Sequence, residues 1–241
     1  MPKRIHYILF ISLLALISYD VQAQFDDQEF YYGFFAGGSR SQLSEIQTTI
    51  IRPVFPSETY STSLENRWGV VIGSFVHYRF KNSHFAIEPQ ILYQDAGGIF
   101  NYEDVENLNY QIEFKYAHLK IAPIIKYYLV NGSFIQLGPE LGLILNRSNL
   151  KYTSNQPDLG PDLQIQQSLS EVLKGNNNVS LMIGAGYDAP MGLGVDVRYH
   201  VGVSDAMETL ANGFYFIENK NVQHALSLTL SYAIPFNQRG Y

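Results

Sequence analysis

Along this chain apolar side chains recur at every second position in runs of about ten residues. In Phe134–Arg147 one parity reads Ile135, Leu137, Pro139, Leu141, Leu143 and Leu145. The other reads Gln136, Gly138, Glu140, Gly142, Ile144 and Asn146. Successive residues of a strand point to opposite faces, so such a segment separates an apolar medium from a polar one. The pattern returns in Trp68–Phe80, Phe85–Gln94, His118–Tyr127, Val179–Asp188, Leu193–Gly202 and Leu226–Phe236. It is weaker in Phe30–Arg40, where Tyr32, Phe34 and Ala36 face outward and Gly33 and Gly37 inward. These eight segments are long enough to cross a bilayer at a tilt.

A soluble sandwich also alternates, and three features decide against it. The connections sort by length: short links at Lys81–Ser83, Val130–Gly132 and Ala189–Gly192, long ones at Ser41–Arg67, Gly97–Glu113, Ser148–Asn177 and Ser204–His224. That is the plan of an outer-membrane barrel, whereas a Greek-key sandwich has no reason to sort its links. Aromatic residues sit at strand ends on the apolar face: Trp68, Tyr78, Phe80, Phe85, Tyr93, Tyr127, Tyr187, Tyr232 and Phe236. Such rings favour the membrane interface and would form its girdles. The chain also closes on an amphipathic strand with Tyr232 and Phe236 on its apolar face, a form that barrel-assembly machinery reads. The expectation is an all-β, eight-stranded antiparallel up-and-down transmembrane β-barrel in the outer membrane of a Gram-negative cell. An even strand number puts both termini on the short-turn, periplasmic side.

The first residues fit export. Lys3 and Arg4 precede an apolar run from Ile8 to Ile17, and Val21-Gln22-Ala23 offers a cleavage site. The run is too short to span a bilayer core of about 30 Å. Residues 1–23 are therefore expected to be a cleaved signal peptide and residues 24–241 the barrel domain. The absence of cysteine excludes disulfides, thiol nucleophiles and acylation of an N-terminal cysteine. A net charge of −6 with no basic run argues against nucleic acid as a partner.

Four stretches carry a family resemblance: FAIEPQILYQDAGG at Phe85–Gly98, YAHLKIAPIIKYY at Tyr116–Tyr128 followed by FIQLGPELGLIL at Phe134–Leu145, LGVDVRYHVGVSD at Leu193–Asp205, and the closing Tyr-Ala-Ile-Pro-Phe. In order and spacing they resemble the PorT-like outer-membrane β-barrel family of Bacteroidota. The resemblance implies an integral outer-membrane barrel. Its founding member is associated with type IX secretion, so an accessory role in that system, with secretion proteins as partners, is the narrower expectation.

Eight charged residues take the inward parity: Arg79, Glu88, Lys120, Lys126, Glu140, Asp188, Asp196 and Arg198. An eight-stranded barrel is only wide enough for side chains to fill it, so a salt-bridged plug is expected. Lys126 is expected to reach Glu140 diagonally, and Glu88 to approach Lys120. A small-solute pore is the first alternative. A lipid-modifying enzyme is the second: His118 and Ser148 both lie toward the outer side and could form a dyad, although no Gly-x-Ser-x-Gly elbow is present. His77, His118 and His200 fall on separate strands without ligand spacing, so neither metal nor cofactor is expected. The main reading is a structural or assembly-type barrel, not an enzyme, whose partners are outer-membrane lipid and lipopolysaccharide and, during insertion, the assembly machinery. Leu163–Lys174 reads as a helix-like piece that closes the barrel mouth or meets a partner. Glu103, Asp104, Glu106 and Glu113 form an acidic loop.

Overall fold

The computed structural model describes residues 30–44, 60–104, 108–155, 162–209 and 221–235. The signal-peptide segment and Phe236 of the aromatic set lie outside these residues. In chain order the elements are β1 (Phe30–Leu43), β2 (Tyr60–Glu65), β3 (Arg67–Arg79), β4 (Phe85–Asp104), β5 (Asn109–Tyr128), β6 (Ser133–Ile144), β7 (Leu150–Ser154), α1 (Asp162–Val172), β8 (Leu173–Gly175), β9 (Asn178–Asp188), β10 (Leu193–Gly202), β11 (Met207–Thr209) and β12 (Gln223–Pro235).

Eight long strands close into a ring in the order β1-β3-β4-β5-β6-β9-β10-β12, all antiparallel, with β12 returning to β1 through pairs from Tyr31↔Pro235 to Leu43↔Gln223. Closure gives every spanning strand two partners, so no edge is left in lipid. The three short links gather at one end, together with the start of β1 and the end of β12. Asn82 and Asn131 adopt positive φ there (56° and 55°), and Gly132 follows Asn131 at 80°. Asn-Gly with both residues left-handed is the turn that matches strand twist in a two-residue hairpin.

The outward parity is apolar over a limited height. On β4 it runs Phe85, Ile87, Pro89, Ile91 and Tyr93, then changes at Asp95. Nine residues give roughly 30 Å of strand, or about 23 Å of height at a tilt near 40°, the thickness of an outer-membrane apolar band. On β5 the outward parity turns polar at Lys115, just past Ala117, which is opposite Asp95.

Beyond that line the structure departs from the expected loops. Gly97–Glu113 is mostly strand: β4 continues to Asp104 and β5 starts at Asn109, paired from Gly97↔Lys115 to Glu103↔Asn109. β2 joins the outer end of β4, and β7 joins that of β5. The result is a four-stranded extension, β2-β4-β5-β7, standing on one side of the barrel mouth. Its alternation is inverted, with Phe100, Ile112 and Phe114 buried inside and Asn101, Gln111 and Lys151 on the outer face. The register sum between β3 and β4 (Val71↔Gln94) exceeds that between β2 and β4 (Leu64↔Phe100) by one, so a one-residue slip falls between Leu64 and Val71. That slip turns Leu64 inward although Trp68, at the same parity, faces lipid. Gly97 takes φ 148°, and a Cβ there would collide with the Phe114 carbonyl, so β4 and β5 approach closely where they leave the membrane.

Inside the mouth an apolar cluster joins Leu43, Phe100, Phe114, Tyr116, Leu173 and Met207, with Ile165 and Leu169 of α1 packed against it. The expected helix-like segment Leu163–Lys174 is helical as far as Val172, while Leu173 and Lys174 belong to β8, and the apolar side of the helix packs on this cluster. β8 and β11 pair beside it as a short ribbon.

If the band ends at Asp95, one substitution should behave differently on either side of it. Ile91→Arg should cost about 2–4 kcal/mol of folding free energy into lipid vesicles, whereas Glu103→Arg on the same parity should cost roughly 0.5 kcal/mol or less. Equal costs measured by urea titration would place the boundary elsewhere.

Candidate functional site

The inward parity brings polar side chains together in two connected groups. Nearer the outer end, Lys120 Nζ donates to Glu140 Oε2 at 2.8 Å, Ser180 Oγ donates to the same oxygen at 2.7 Å, and His200 Nδ1 lies 2.9 Å from Glu140 Oε1. His200 Nε2 lies 3.0 Å from Ser227 Oγ. Below, Arg198 forks onto Asp196, which also accepts from Thr229 Oγ1 at 2.9 Å, while Arg198 Nη1 donates to Gln90 Oε1 at 2.8 Å. Gln90 Nε2 then donates to Glu88 Oε1 at 2.8 Å. Glu88 receives Lys126 Nζ at 2.9 Å and sits 2.8 Å from His77 Nδ1. Lys126 is 3.6 Å from Asp188, which accepts from Tyr128 OH at 2.8 Å. Arg79 stacks over the Tyr128 ring at 4.7 Å and donates to the Ser83 carbonyl.

All eight charged residues named from sequence thus lie on the inner side. Glu88 (1% exposed) and Lys120 (2%) are sealed, whereas Asp188 and Arg79 are half-buried near the short-turn end. The partners differ from those expected. Lys126 meets Glu88 rather than Glu140, and Lys120 meets Glu140 rather than Glu88. Register is the reason: Lys126 is opposite Ala86 and Lys120 is opposite Gly142, which leaves each observed carboxylate two residues away on the diagonal. The expected partners lie four residues away, beyond diagonal reach. Gln90, Ser180, Ser227, Thr229 and Tyr128 were the members not singled out from sequence, and their inward parity was the available signal.

Replacing one charge in such a site strands its partner. Most of the cost of a single substitution is that stranded charge, because an ion pair exchanged whole for apolar groups is often neutral.

Ser148 and His118, the pair considered under the enzyme alternative, do not meet. Ser148 is exposed before β7, whereas His118 is buried with Nε2 on the Asn176 carbonyl at 3.3 Å and Nδ1 without a partner. A Ser–His–carboxylate order does occur at Ser227–His200–Glu140, but Ser227 is 1% exposed and Lys120 shares the carboxylate. The chain of bonds is a packed ionic layer.

The expected aromatic residues divide between the two ends of the band. Tyr78, Phe80, Phe85, Tyr127, Tyr187 and Tyr232 stand at the short-turn end, with ring pairs Tyr78–Phe80 at 5.4 Å and Phe85–Tyr127 at 4.9 Å. Trp68 (72% exposed) and Tyr93 stand toward the outer end, where Arg40 lies over the Trp68 indole at 6.0 Å. Tyr199 joins them, unforeseen because it was counted only as a strand residue.

At the base of the extension Arg67 donates to both oxygens of Asp95 (2.7 and 3.1 Å) and to Glu113 (3.1 Å), which Lys115 also reaches at 3.1 Å. One guanidinium thus ties three strands together. Of the expected acidic loop, Glu113 belongs to this clamp, Asp104 accepts from Leu108 N, Glu103 faces outward, and Glu106 lies outside the described residues.

A closed eight-stranded ring with an apolar outer band, aromatic ends and a polar packed interior defines an integral outer-membrane barrel protein. The profile of the outer membrane protein beta-barrel domain family matches residues 22–208, and the chain belongs to that family. Membership implies the outer membrane as its location. No curated protein matches the chain. Among solved structures, it is similar to Ail, the attachment invasion locus protein of Yersinia pestis (13% identity over 86% of this chain and 100% of that one, TM-score 0.40). It is also similar to Neisserial surface protein A (11%, 83% and 96%, TM-score 0.36) and to the translocator domain of the autotransporter NalP from Neisseria meningitidis (7%, 95% and 96%, TM-score 0.35).

Lys126→Met alone should lower unfolding free energy by about 3–5 kcal/mol, and the double variant Lys126→Met/Glu88→Met should recover most of that loss. Urea unfolding in detergent gives both numbers; additive losses would mean that the pair is not coupled.

Proposed function

We propose that this protein is a non-conducting, non-enzymatic outer-membrane barrel of structural or assembly type, which acts through the surfaces it holds outside the bilayer. The filled lumen carries this reading. From Asp188 to Lys120 the interior is crossed by bonded side chains, and the apolar cluster under α1 lies above them. A solute path would have to break several charge-assisted bonds at once. A lipid-modifying enzyme would need a nucleophile and base at the rim, and the residues best suited to that, Ser148 and His118, stand apart.

The extension is then the extracellular side, and both termini and the short turns are periplasmic. Residues 1–23 act as a cleaved signal peptide, and β12 carries the assembly signal. Lipopolysaccharide is the natural outer-leaflet neighbour of Trp68 and Arg40. The narrower reading, a PorT-like barrel of Bacteroidota that assists type IX secretion, draws its support from the four sequence stretches quoted above.

Two measurements test these levels separately. The purified barrel in planar bilayers should give no ion conductance at neutral pH; steady single-channel currents would replace the plug with a pore. Deleting the gene should reduce secreted proteinase activity if the narrower reading holds, and unchanged secretion would discard that reading while leaving the structural barrel intact.

A further inference from the structure

The outer ends of β2, β4, β5 and β7 enclose a groove of about 440 Å³, open to the outside. Its size falls within the range of small-molecule sites, about 300–1,000 Å³. The composition of its wall is unusual. Among the described residues, the side chains that face it, such as Ser63, Asn101, Glu103, Gln111 and Thr153, carry a hydroxyl, an amide or a carboxylate, and none is aliphatic or cationic. Glu103 is the one charged side chain among the described lining residues. We infer that this groove binds neutral sugar, the saccharide part of a glycolipid or glycan standing at the cell surface.

The chemistry selects among ligand classes. A phosphate, sulfate or acidic sugar would meet Glu103 with no cation among the described lining residues to offset the repulsion. An apolar ligand would leave the hydroxyls and amides of the wall without partners. A peptide strand would add at a sheet edge, whereas this groove crosses the strands and offers no apolar pocket for side chains. A sugar presents a dense array of hydroxyls, each both donor and acceptor, and the wall presents the complementary array.

The array is also held in place. Gln111 Nε2 donates to Asn101 Oδ1 at 2.8 Å, and Asn101 Nδ2 donates to Glu65 Oε1 at 2.7 Å and to Ser63 Oγ at 3.3 Å. This chain fixes the orientation of the amides across three strands before any ligand arrives. Tyr102 and Tyr110, opposite each other on β4 and β5, stack at 4.7 Å with planes 17° apart on the inner face, where they pack against the apolar cluster beneath the groove. Beside them on that face, Phe100, Ile112 and Phe114 join the same cluster, which backs the sheet that carries the groove. A preorganised wall loses less entropy on binding than a mobile one.

Position favours the glycolipid as source. The outward stripe of β4 runs without interruption from Ile91 and Tyr93 through Asp95 to Asn101. A lipid whose tails lie on the lower stripe would carry its head sugars up the same face.

The test uses the full barrel in detergent micelles and in nanodiscs. Neutral outer-core oligosaccharide, freed of the acidic and phosphorylated inner-core sugars of lipopolysaccharide, and maltopentaose are titrated against tryptophan-independent readouts such as calorimetry or amide NMR shifts. Saturable binding is expected that does not weaken as salt is raised, since no cation takes part. Gln111→Ala and Asn101→Ala should each weaken it by about tenfold, as expected for one or two lost hydrogen bonds, while heat-modifiable gel mobility reports an intact barrel. Affinity for the core oligosaccharide above that for maltopentaose, with further strengthening for intact lipopolysaccharide in nanodiscs, assigns the glycolipid; equal affinity for both free sugars assigns a soluble glycan. Absence of binding by either sugar, binding that falls steeply with salt, binding unchanged in both variants, or binding of neutral peptides in place of sugars would each overturn the inference. None of these outcomes depends on whether the lumen conducts.

Discussion

Hydrocarbon offers no partner to a backbone amide, and that constraint organises this molecule. Each unpaired N–H or C=O in lipid costs several kcal/mol, so strands that cross must pair on both sides. β12 therefore has to return to β1, and it does so along thirteen residue pairs. With eight strands the enclosed space is about one layer of side chains wide on each wall. Inward charges then have little solvent to fall back on and must be answered by neighbouring side chains. The ionic layers from Lys120 to Lys126 follow from that confinement: once a charge occupies an inward position, the fold holds together only if its neighbours answer it.

The same strands obey a different rule once they leave the bilayer. On β4 and β5 the outward face turns from Ile91 and Leu119 to Asn101 and Gln111, while the inward face turns from Glu88 and Lys126 to Phe100 and Phe114. Inside lipid the apolar medium is outside; in water it is the protein's own core. The Arg67 clamp with Asp95 and Glu113 and the close approach at Gly97 both lie at this reversal. They bind β3, β4 and β5 together where the sheet changes environment.

That reversal explains what could be read from the residues alone. The eight spanning segments, their facing and the three short turns follow from parity and from Asn-Gly at 131–132, because lipid imposes one pattern on all of them. Gly97–Glu113 reads as a loop only if a strand must be greasy outward; read with the faces exchanged, Phe100, Tyr102, Tyr110, Ile112 and Phe114 alternate as regularly as any segment below them. The ion-pair partners were out of reach for another reason. Parity says that Lys126 and Glu88 share the interior, but the choice between Glu88 and Glu140 depends on a register offset of two residues against four, which the hairpin turns and the barrel stagger set together. The groove on the extension was hidden by both effects, since β2 and β7 sit within segments that resemble connections and take their place only through pairing with β4 and β5.

A lumen packed this way also limits where any activity can reside. Ser227, His200 and Glu140 have the order of a nucleophile, a base and an orienting acid, yet the Lys120 ammonium on Glu140 and the surrounding strands leave no space for an acyl group to approach. Catalytic geometry without access is structural geometry. In the proposed reading the interior is a rigid post. What it supports is the four-stranded extension, whose inner face is anchored in the apolar cluster and whose outer face is fixed by the Gln111–Asn101–Glu65 chain. A surface braced from behind and cross-linked in front keeps its polar groups aimed at one place, which is the property the proposed sugar recognition requires.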